Sequence, residues 1–358
     1  MKKIIALVLA LMILMSMTAC GAQTAETTPA APAATEAPAA ATEAPAAEPA
    51  GEVKTYKVGV AIYQYNDNFM TLYRNEIENY FKTLETDTVK YEITMVDGKN
   101  DMGEQTNQID TFITQKMDVI ICNLVQTSSA EVIIDKVVDA GIPLILINRE
   151  PLGDDGDESY PGIINNPYVC YVGADARQSG TYQGEIVLAL PDKGDINGDG
   201  VISYVMVVGD PENPDAQYRT EYSIKALTDA GMQVKELVKN VGNWDQTKGQ
   251  EIVAAALAQY GDQIEVVFCN NDGMALGAAA AIEAAGRKVG EDIYLLGVDA
   301  LDECQEMVQK GTMTGTVLND HIGQSHKAVD VAIQALNGEA IDNYYWVDYV
   351  KVDAAYFG

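Results

Sequence analysis

The sequence has 358 residues, a length that predicts about two domains of ordinary size. It carries 53 Asp and Glu against 23 Lys and Arg, so its formal net charge is −30. A charge of this sign repels phosphate backbones and argues against a nucleic-acid partner. The histidines are limited to His321 and His326, which leaves little material for a His-rich metal site or a Ser-His-Asp triad.

The first twenty residues have the features of an export signal. Lys2 and Lys3 precede an apolar run over residues 4–15, which is too short to span a hydrocarbon core of ~30 Å. The run ends in MTACG at residues 17–21, which resembles the lipobox of bacterial lipoproteins with Met in place of the usual Leu. The resemblance implies that Cys20 becomes a lipidated N-terminus and anchors the protein outside the cell membrane. An ordinary cleaved signal is the alternative.

Residues 21–52 have the composition of a disordered tether. The segment consists mainly of Ala, Pro, Thr and Glu, and the heptapeptide ATEAPAA occurs at residues 34–40 and again at 41–47. It contains five Glu and neither Lys nor Arg. Such a segment buries too little apolar surface to offset its chain entropy, and proline with like charge keeps it extended.

From residue 53 onward, β-rich runs alternate with helical spacings. This alternation predicts parallel α/β sheets, in which interior strands are apolar along their whole length. The predicted strands are 57–63, 91–96, 119–125, 143–148, 169–173, 203–208, 234–239, 265–269, 293–298, 315–318 and a final pair near 344–352. The predicted helices are 69–84, one ending near 116, 130–140, 178–190, 216–230, 247–260, 273–285, 304–310 and 323–336. Four cysteines scattered among apolar runs, Cys122, Cys170, Cys269 and Cys304, are expected to be buried thiols and not disulfides.

Polar and aromatic side chains follow most of the predicted strands. In open parallel sheets the ligand lies beyond the carboxyl ends of the strands, so a binding site is expected there. Asp and Asn pair well with hydroxyl groups, and aromatic faces suit the apolar face of a sugar ring. A helix cap or a turn is the more common role of any one such residue, but together they predict a neutral polyhydroxylated ligand. Such side chains occur in residues 63–69, at Asn123, in residues 213–215, at Arg219, in residues 243–245 and 270–272, and at Asp299, Asn319 and Asp320.

From about residue 55 to the end, the sequence resembles the periplasmic galactose/glucose-binding proteins of bacterial ABC importers. The matching runs include VGVAIYQYNDNFM at 58–70, NREP at 148–151, NWD at 243–245, EVVFCNND at 265–272, GVDAL at 297–301 and GTVLND at 315–320. The resemblance implies a type I periplasmic binding protein fold, with two similar doubly wound parallel-sheet lobes joined by three crossing segments. On this basis we expect an N-terminal lobe of residues 53–142 plus 319–346, and a C-terminal lobe of residues 143–318 plus 347–358.

The resemblance also implies how the polar strand ends are used. Phe69 and Trp244 would hold the sugar ring between them, and Tyr63 would lie near the wall of the pocket. Asn213 stands where the family has a His two residues before the Asp that matches Asp215, so the contact to the exocyclic hydroxyl group differs. The remaining implied ligand contacts are Asp67, Asn123, Asp215, Arg219, Asn271, Asp299 and Asn319.

Residues 195–203 (DINGDGVIS) follow the pattern of an EF-hand calcium loop, with oxygen-bearing side chains at positions one, three and five and Gly at position six. The twelfth position holds Met206 where an EF-hand has a bidentate Glu. The resemblance implies a distant Glu instead, which Glu265 matches, and Ser203 stands where the family has Gln. We therefore expect a structural Ca²⁺ ion, with a surface turn as the alternative. The expected metal residues are Asp195, Asn197, Asp199, Val201, Ser203 and Glu265.

Together these patterns predict a monomeric, lipid-anchored binding protein that delivers D-galactose or D-glucose to an ABC permease. A sugar-sensing receptor subunit for a chemoreceptor or histidine kinase is an alternative, as is a pentose or another monosaccharide as ligand. An enzyme such as a glycosidase is a third class, although nothing in the sequence marks a raised-pKa acid beside a nucleophile. Ligand binding without catalysis is the prediction.

Overall fold

The structure is a computed structural model that describes residues 52–153 and 160–358. The predicted signal segment (1–20) and nearly all of the predicted tether (21–52) therefore lie outside the described residues. The strands are β1 Lys54–Ile62, β2 Val89–Asp97, β3 Val119–Cys122, β4 Leu144–Ile147, β5 Val169–Gly173, β6 Val201–Val208, β7 Gln233–Val241, β8 Val266–Cys269, β9 Tyr294–Leu296, β10 Thr316–Leu318, β11 Tyr344–Trp346 and β12 Val350–Val352. The helices are α1 Asn68–Thr83, α2 Met102–Thr114, α3 Ala130–Asp139, α4 Pro161–Ile164, α5 Ala176–Leu188, α6 Pro214–Asp229, α7 Gln246–Tyr260, α8 Asp272–Ala284, α9 Asp302–Lys310 and α10 His321–Leu336.

The strands form two parallel sheets, which confirms the predicted two-lobe α/β architecture. The first lobe is built on a six-stranded sheet of order β11-β5-β4-β3-β1-β2, and the second lobe on a four-stranded sheet of order β7-β6-β8-β9. A short antiparallel pair, β10 and β12, lies beside them. The chain passes between the lobes after β5, after β10 and between β11 and β12, which gives three crossing segments.

The expected lobe boundary at residue 143 is wrong. β4 pairs in parallel with β3, and β5 pairs in parallel with β4, so both strands belong to the first lobe. The first crossing therefore follows Gly173. The expected final strand pair is also divided, because β11 adds to the first sheet beside β5 while β12 pairs with β10.

Both faces of each sheet are buried against helices. In β3, Val119 and Ile121 face the cluster that contains α1 and α10, while Ile120 and Cys122 face the cluster that contains α2 and α3. The second sheet is covered by α7 and α8 on one face and by α5 and α6 on the other. This two-sided burial explains why the interior strands are continuous apolar runs. The polar residues that follow these strands lie at the carboxyl edges of the sheets, which border the space between the lobes.

The four cysteines of the described region are buried and free, as predicted. Within the two described stretches, no helix combines the length and apolar character needed to cross a bilayer.

Candidate functional site

One cavity between the lobes brings together ten of the eleven residues that the resemblance implies as ligand contacts. The first lobe contributes α1 and the loops after β1 and β4, and the second lobe contributes α6 and the loops after β6, β7, β8 and β9. The crossing segment after β10 contributes Asn319. Met70, Asn148 and Arg149 also line this cavity, which is called here the sugar cavity after the ligand that the sequence predicts. The predicted residues that line it are Tyr63, Asp67, Phe69, Asn213, Asp215, Arg219, Trp244, Asn271, Asp299 and Asn319.

Asn123 is the exception, because it lies behind the cavity wall. Its side chain is fully buried, accepts a hydrogen bond from the Tyr63 N–H at 3.3 Å and donates to Asn148 Oδ1 at 3.1 Å and to the Ile147 carbonyl at 3.2 Å. Asn123 therefore holds the loops after β1 and β4 together, and its neighbour Asn148 takes the place on the cavity wall.

Three of the cavity residues are also helix caps. Asp67 Oδ1 accepts from the Met70 N–H at 2.7 Å, Asn213 Oδ1 from the Asp215 N–H, and Asn271 Oδ1 from the Met274 N–H. The second carboxylate oxygen of Asp67 accepts from the Tyr63 hydroxyl at 2.7 Å, and the Asn271 amide nitrogen donates to the Trp244 carbonyl at 3.4 Å. A carboxylate or amide oxygen can still accept a further bond from a ligand hydroxyl group. The capping and ligand roles considered for these residues are therefore compatible, since the backbone bond fixes the side chain that faces the cavity.

Arg219 joins the charged groups of the second lobe. Its guanidinium donates to Asp215 Oδ2 at 3.1 Å, to the Tyr349 hydroxyl at 3.0 Å and to the Asn270 carbonyl at 2.8 Å. Asp299 Oδ1 lies 3.9 Å from the same group. Burial alone would lower the pKa of Arg219, but these neighbouring groups raise it, so Arg219 is a fixed positive charge between two buried carboxylates.

Trp244 lies on a tight loop, and its ring packs against the backbone of Gly209. Asn243 and Trp244 both have left-handed conformations, with φ of 50° and 66°. A Cβ atom at Gly209 would lie 2.2 Å from the Trp244 ring, so only glycine allows the indole to pack there. Gly209 was not predicted from the sequence, although its position directly after β6 could have indicated that it lies at the site.

Arg149 is a further cavity residue that sequence analysis did not select, although it lies in the NREP run. It is 1% exposed and its guanidinium stacks 3.9 Å from the centre of the Tyr63 ring. It donates to the Val125 carbonyl, and its Nη1 lies 3.3 Å from Asp210 Oδ2 of the second lobe. This ion pair connects the two lobes across the cleft.

The loop that carries Asp299 is supported by a buried carboxylate, Asp272. Asp299 and Ala300 both have positive φ. Asp272 Oδ2 accepts from the Leu301 N–H at 2.8 Å, and Oδ1 accepts from the Thr316 hydroxyl at 2.7 Å. Burial raises the pKa of Asp272 to about 6, and burial also raises the pKa of Asp299 well above its usual range.

We expect the free energy of unfolding to rise on acidification from pH 7.5 to 5, and Asp272→Asn should flatten this response. Because the pKa of Asp272 is about 6 in the native state, the native state binds this proton at a higher pH than the unfolded state does. The resulting contribution to the free energy of unfolding is fully present below pH ~4 and is lost as the pH rises through 6. At pH 5 the Asp272 contribution is roughly 1–2 kcal/mol. Thermal melts of both proteins in EDTA, without sugar, measure the difference. Parallel pH profiles would contradict the assignment.

Asn213→Ala tests the contact to the exocyclic hydroxyl group of a hexose that the resemblance implies for this position, where the family has His. A neutral hydrogen bond contributes about 0.5–1.5 kcal/mol, so hexose affinity should fall by that amount while affinity for xylose, which lacks the exocyclic group, should hardly change. Because Asn213 also caps α6, the melting temperature should fall as well. Calorimetric titration with both sugars separates the effects. Equal losses for hexose and xylose would assign Asn213 to the cap alone.

The predicted ion loop runs into the start of β6, so that Val201 and Ser203 belong to the strand itself. Gly198 and Gly200 have left-handed φ of 72° and 88°, and the Gly200 N–H donates to Asp195 Oδ2 at 3.0 Å. Glu265 lies beside the loop and accepts from the Asn197 and Ser203 N–H groups. In the described residues no group of three His, Cys, Asp or Glu side chains is spaced as a metal site.

The donor chemistry of this loop nevertheless fits a hard cation. Asp195 Oδ1 is buried and has no hydrogen-bond partner among the described residues. Burial raises the pKa of Glu265, and the nearby charges of Asp195 and Asp199 raise it further, while the two backbone N–H bonds oppose them. A buried acceptor without a donor, on one of three neighbouring carboxylates, is an arrangement that a bound cation would stabilise.

Comparison with known proteins gives consistent matches. A family model of the periplasmic binding protein domain matches residues 58–340. The D-galactose/methyl-galactoside binding periplasmic protein of Haemophilus influenzae is 35% identical over 311 residues, covering 83% of this chain and 89% of that protein. A putative rhizopine-binding protein of Rhizobium meliloti is 31% identical, covering 83% and 90%. A solved ABC transporter solute binding protein from Bacillus halodurans, with bound myo-inositol, is 30% identical with a TM-score of 0.71, covering 85% and 96%.

Proposed function

The chain belongs to the periplasmic binding protein domain family, and from this premise we propose that it captures D-galactose or D-glucose between its lobes and delivers the sugar to an ABC importer. The family consists of substrate-binding components of transport and not of enzymes, and its members act outside the cytoplasm. The identity of the sugar as a hexose is part of the proposal, because the relatives are named for or hold different ligands: a galactoside, a rhizopine and myo-inositol.

The composition of the sugar cavity is the observation that carries the proposal. Phe69 and Trp244, from different lobes, supply aromatic surface, while the caps and the Arg219 network supply donors and acceptors. Because both arginines that line the cavity are already paired with carboxylates, an anionic ligand would find no unpaired cation among the described residues of its wall. A neutral ring with apolar faces and several hydroxyl groups matches this set.

A calorimetric sugar panel tests the proposal. We expect saturable one-to-one binding of D-galactose or D-glucose, at least tenfold tighter than D-ribose, D-xylose or myo-inositol. A preference for ribose or for myo-inositol would overturn the hexose assignment. Incubation with aryl glycosides should release no aglycone.

We also propose that the loop before β6 holds a structural Ca²⁺ ion, as the donor set of Asp195, Asn197, Asp199 and Glu265 favours. Calcium should raise the melting temperature, because it binds only the folded loop. At a concentration a hundred times its dissociation constant, the ion stabilises the protein by about 2.7 kcal/mol. Asp199→Ala removes a ligand that is exposed, so the core is undisturbed.

Differential scanning calorimetry with Ca²⁺ and with EDTA measures the effect in wild type, Asp199→Ala and Glu265→Gln. Both variants should lose the calcium increment while their sugar affinity stays within a few fold of wild type. If EDTA leaves the wild-type transition unmoved and no ion co-purifies, the calcium proposal fails.

We further propose that lipidation of Cys20 anchors a monomeric protein to the outer face of the cell membrane. The lipobox-like residues 17–21 and the tether composition support this arrangement. Several acyl chains on one Cys hold a protein stably, because each buried CH₂ contributes ~0.8 kcal/mol. Cys20→Ala should move the protein from the membrane fraction to the soluble fraction, which immunoblotting would detect.

A further inference from the structure

We propose that the protein also takes hexoses that carry a neutral substituent as large as a second sugar ring, with the substituent held in a separate cavity beside the sugar cavity. This inference rests on the proposed function. The second cavity, called here the outer cavity, lies between the lobes, has a volume of about 260 Å³ and is lined by residues that include Asn100, Gln126 and Asn243. Its volume is many times what a single water needs.

The two cavities share a wall. Tyr63, Arg149 and Trp244 line both of them, so a ligand ring held in the sugar cavity lies directly beside the outer cavity. Two buried donors on this wall, Arg149 Nε and Trp244 Nε1, have no acceptor among the described residues. A buried donor without an acceptor is costly, so a ligand oxygen at the wall would be favourable. A glycosidic or ring oxygen is such an acceptor.

The outer cavity is rich in amide side chains. Gln64 Nε2 already donates to the Tyr63 hydroxyl and to the Asn66 carbonyl. By contrast, the side-chain amides of Asn100, Gln126 and Asn243 make no hydrogen bond within residues 52–153 and 160–358. Amides both donate and accept, so they suit the hydroxyl groups of a neutral sugar, as the smaller sugar cavity does.

Charge limits the class of substituent. Asp210 and Asp245 line the outer cavity, and its one arginine, Arg149, is already paired with Asp210. An anionic substituent such as a phosphate or a uronate would therefore meet net negative charge. Because Asn100 and Gln126 come from the first lobe and Asn243 from the second, a neutral substituent would contact both lobes and support closure.

Titration with D-galactose, methyl β-D-galactopyranoside, and galactosyl disaccharides of both anomeric linkages tests the inference, with glucosyl counterparts if glucose is the better ligand. At least one disaccharide should bind within thirtyfold of the monosaccharide. Gln126→Ala should weaken that disaccharide at least fivefold, and Gln126→Trp, which fills the outer cavity, should abolish its binding. Both variants should keep monosaccharide affinity within threefold. Gln126 has extended backbone and no side-chain cap, so both replacements suit the fold.

The outcomes separate this inference from the proposed function. If no hexose binds wild type, the proposed function fails. If the monosaccharide binds but every disaccharide is more than thirtyfold weaker, the outer cavity is only the mouth of the cleft and this inference alone is overturned. It is also overturned if Gln126→Trp lowers monosaccharide and disaccharide affinity equally, or leaves both unchanged.

Discussion

Arg219→Met should lower sugar affinity at least a hundredfold, about 2.7 kcal/mol, and destabilise the protein by about 3–5 kcal/mol at pH 7.5. The substitution removes the one cation between Asp215 and Asp299, both of which are buried. Each carboxylate would then lose its nearest positive charge while it stays buried, and Asp215 would keep only the more distant Arg149. Calorimetric titration gives the affinity, and urea unfolding gives the stability.

The pH dependence of Arg219→Met distinguishes lost charge compensation from lost packing. Arg219 lowers the pKa of both Asp215 and Asp299 against the effect of burial, so both values should rise further in the variant. Protonation then relieves the unpaired charge, and the stability difference from wild type should shrink between pH 7.5 and 5.5. The double variant Arg219→Met with Asp299→Asn is the matched control, since it should recover part of the stability but none of the affinity. A stability loss that is constant with pH would indicate packing instead.

The order and type of the elements were predictable because each element has a local cause. Strands such as β3, β4 and β8 are short runs that are buried on both faces, and helices such as α1 begin at side chains that cap them. Membership of a lobe has no local cause. β4 is a short, fully buried apolar run, and the first strand of a second lobe would look the same in the sequence. Only the pairing of β4 with β3 assigns it to the first lobe.

The same distinction separates the cavity residues that were predicted from those that were missed. Asp67, Asn213 and Asn271 lie in the short segments that follow β1, β6 and β8, so the topology of a parallel sheet is enough to bring them together. Arg149 is charged and buried only because Val125 and Asp210, which are 24 and 61 residues away, supply its partners. Gly209 matters only because Trp244 packs on it. Contacts between distant segments create these roles, and the local sequence does not express them.

Trp244→Ala should weaken sugar binding by at least ~2 kcal/mol, roughly thirtyfold, as expected for a central aromatic anchor. The indole lines the sugar cavity from the second lobe, whereas Phe69 lines it from the first, and among the described residues no other aromatic side chain of the second lobe lines it. Trp244→Phe is the matched control, because it keeps an aromatic face on the space above Gly209 and should retain most of the affinity. Unchanged affinity in Trp244→Ala would assign the side chain to the core.

Fluorescence gives a second, independent measurement of the same contact. The sequence contains two tryptophans, and Trp346 packs against Tyr171 and Tyr344 in the first lobe, away from the sugar cavity. In Trp346→Phe the remaining signal comes from Trp244, so sugar should shift its emission with the same dissociation constant as calorimetry gives. In Trp244→Phe the signal of Trp346 should hardly respond to sugar. A response carried by Trp346 would mean that the ring contact proposed for Trp244 is absent and that closure is sensed elsewhere in the first lobe.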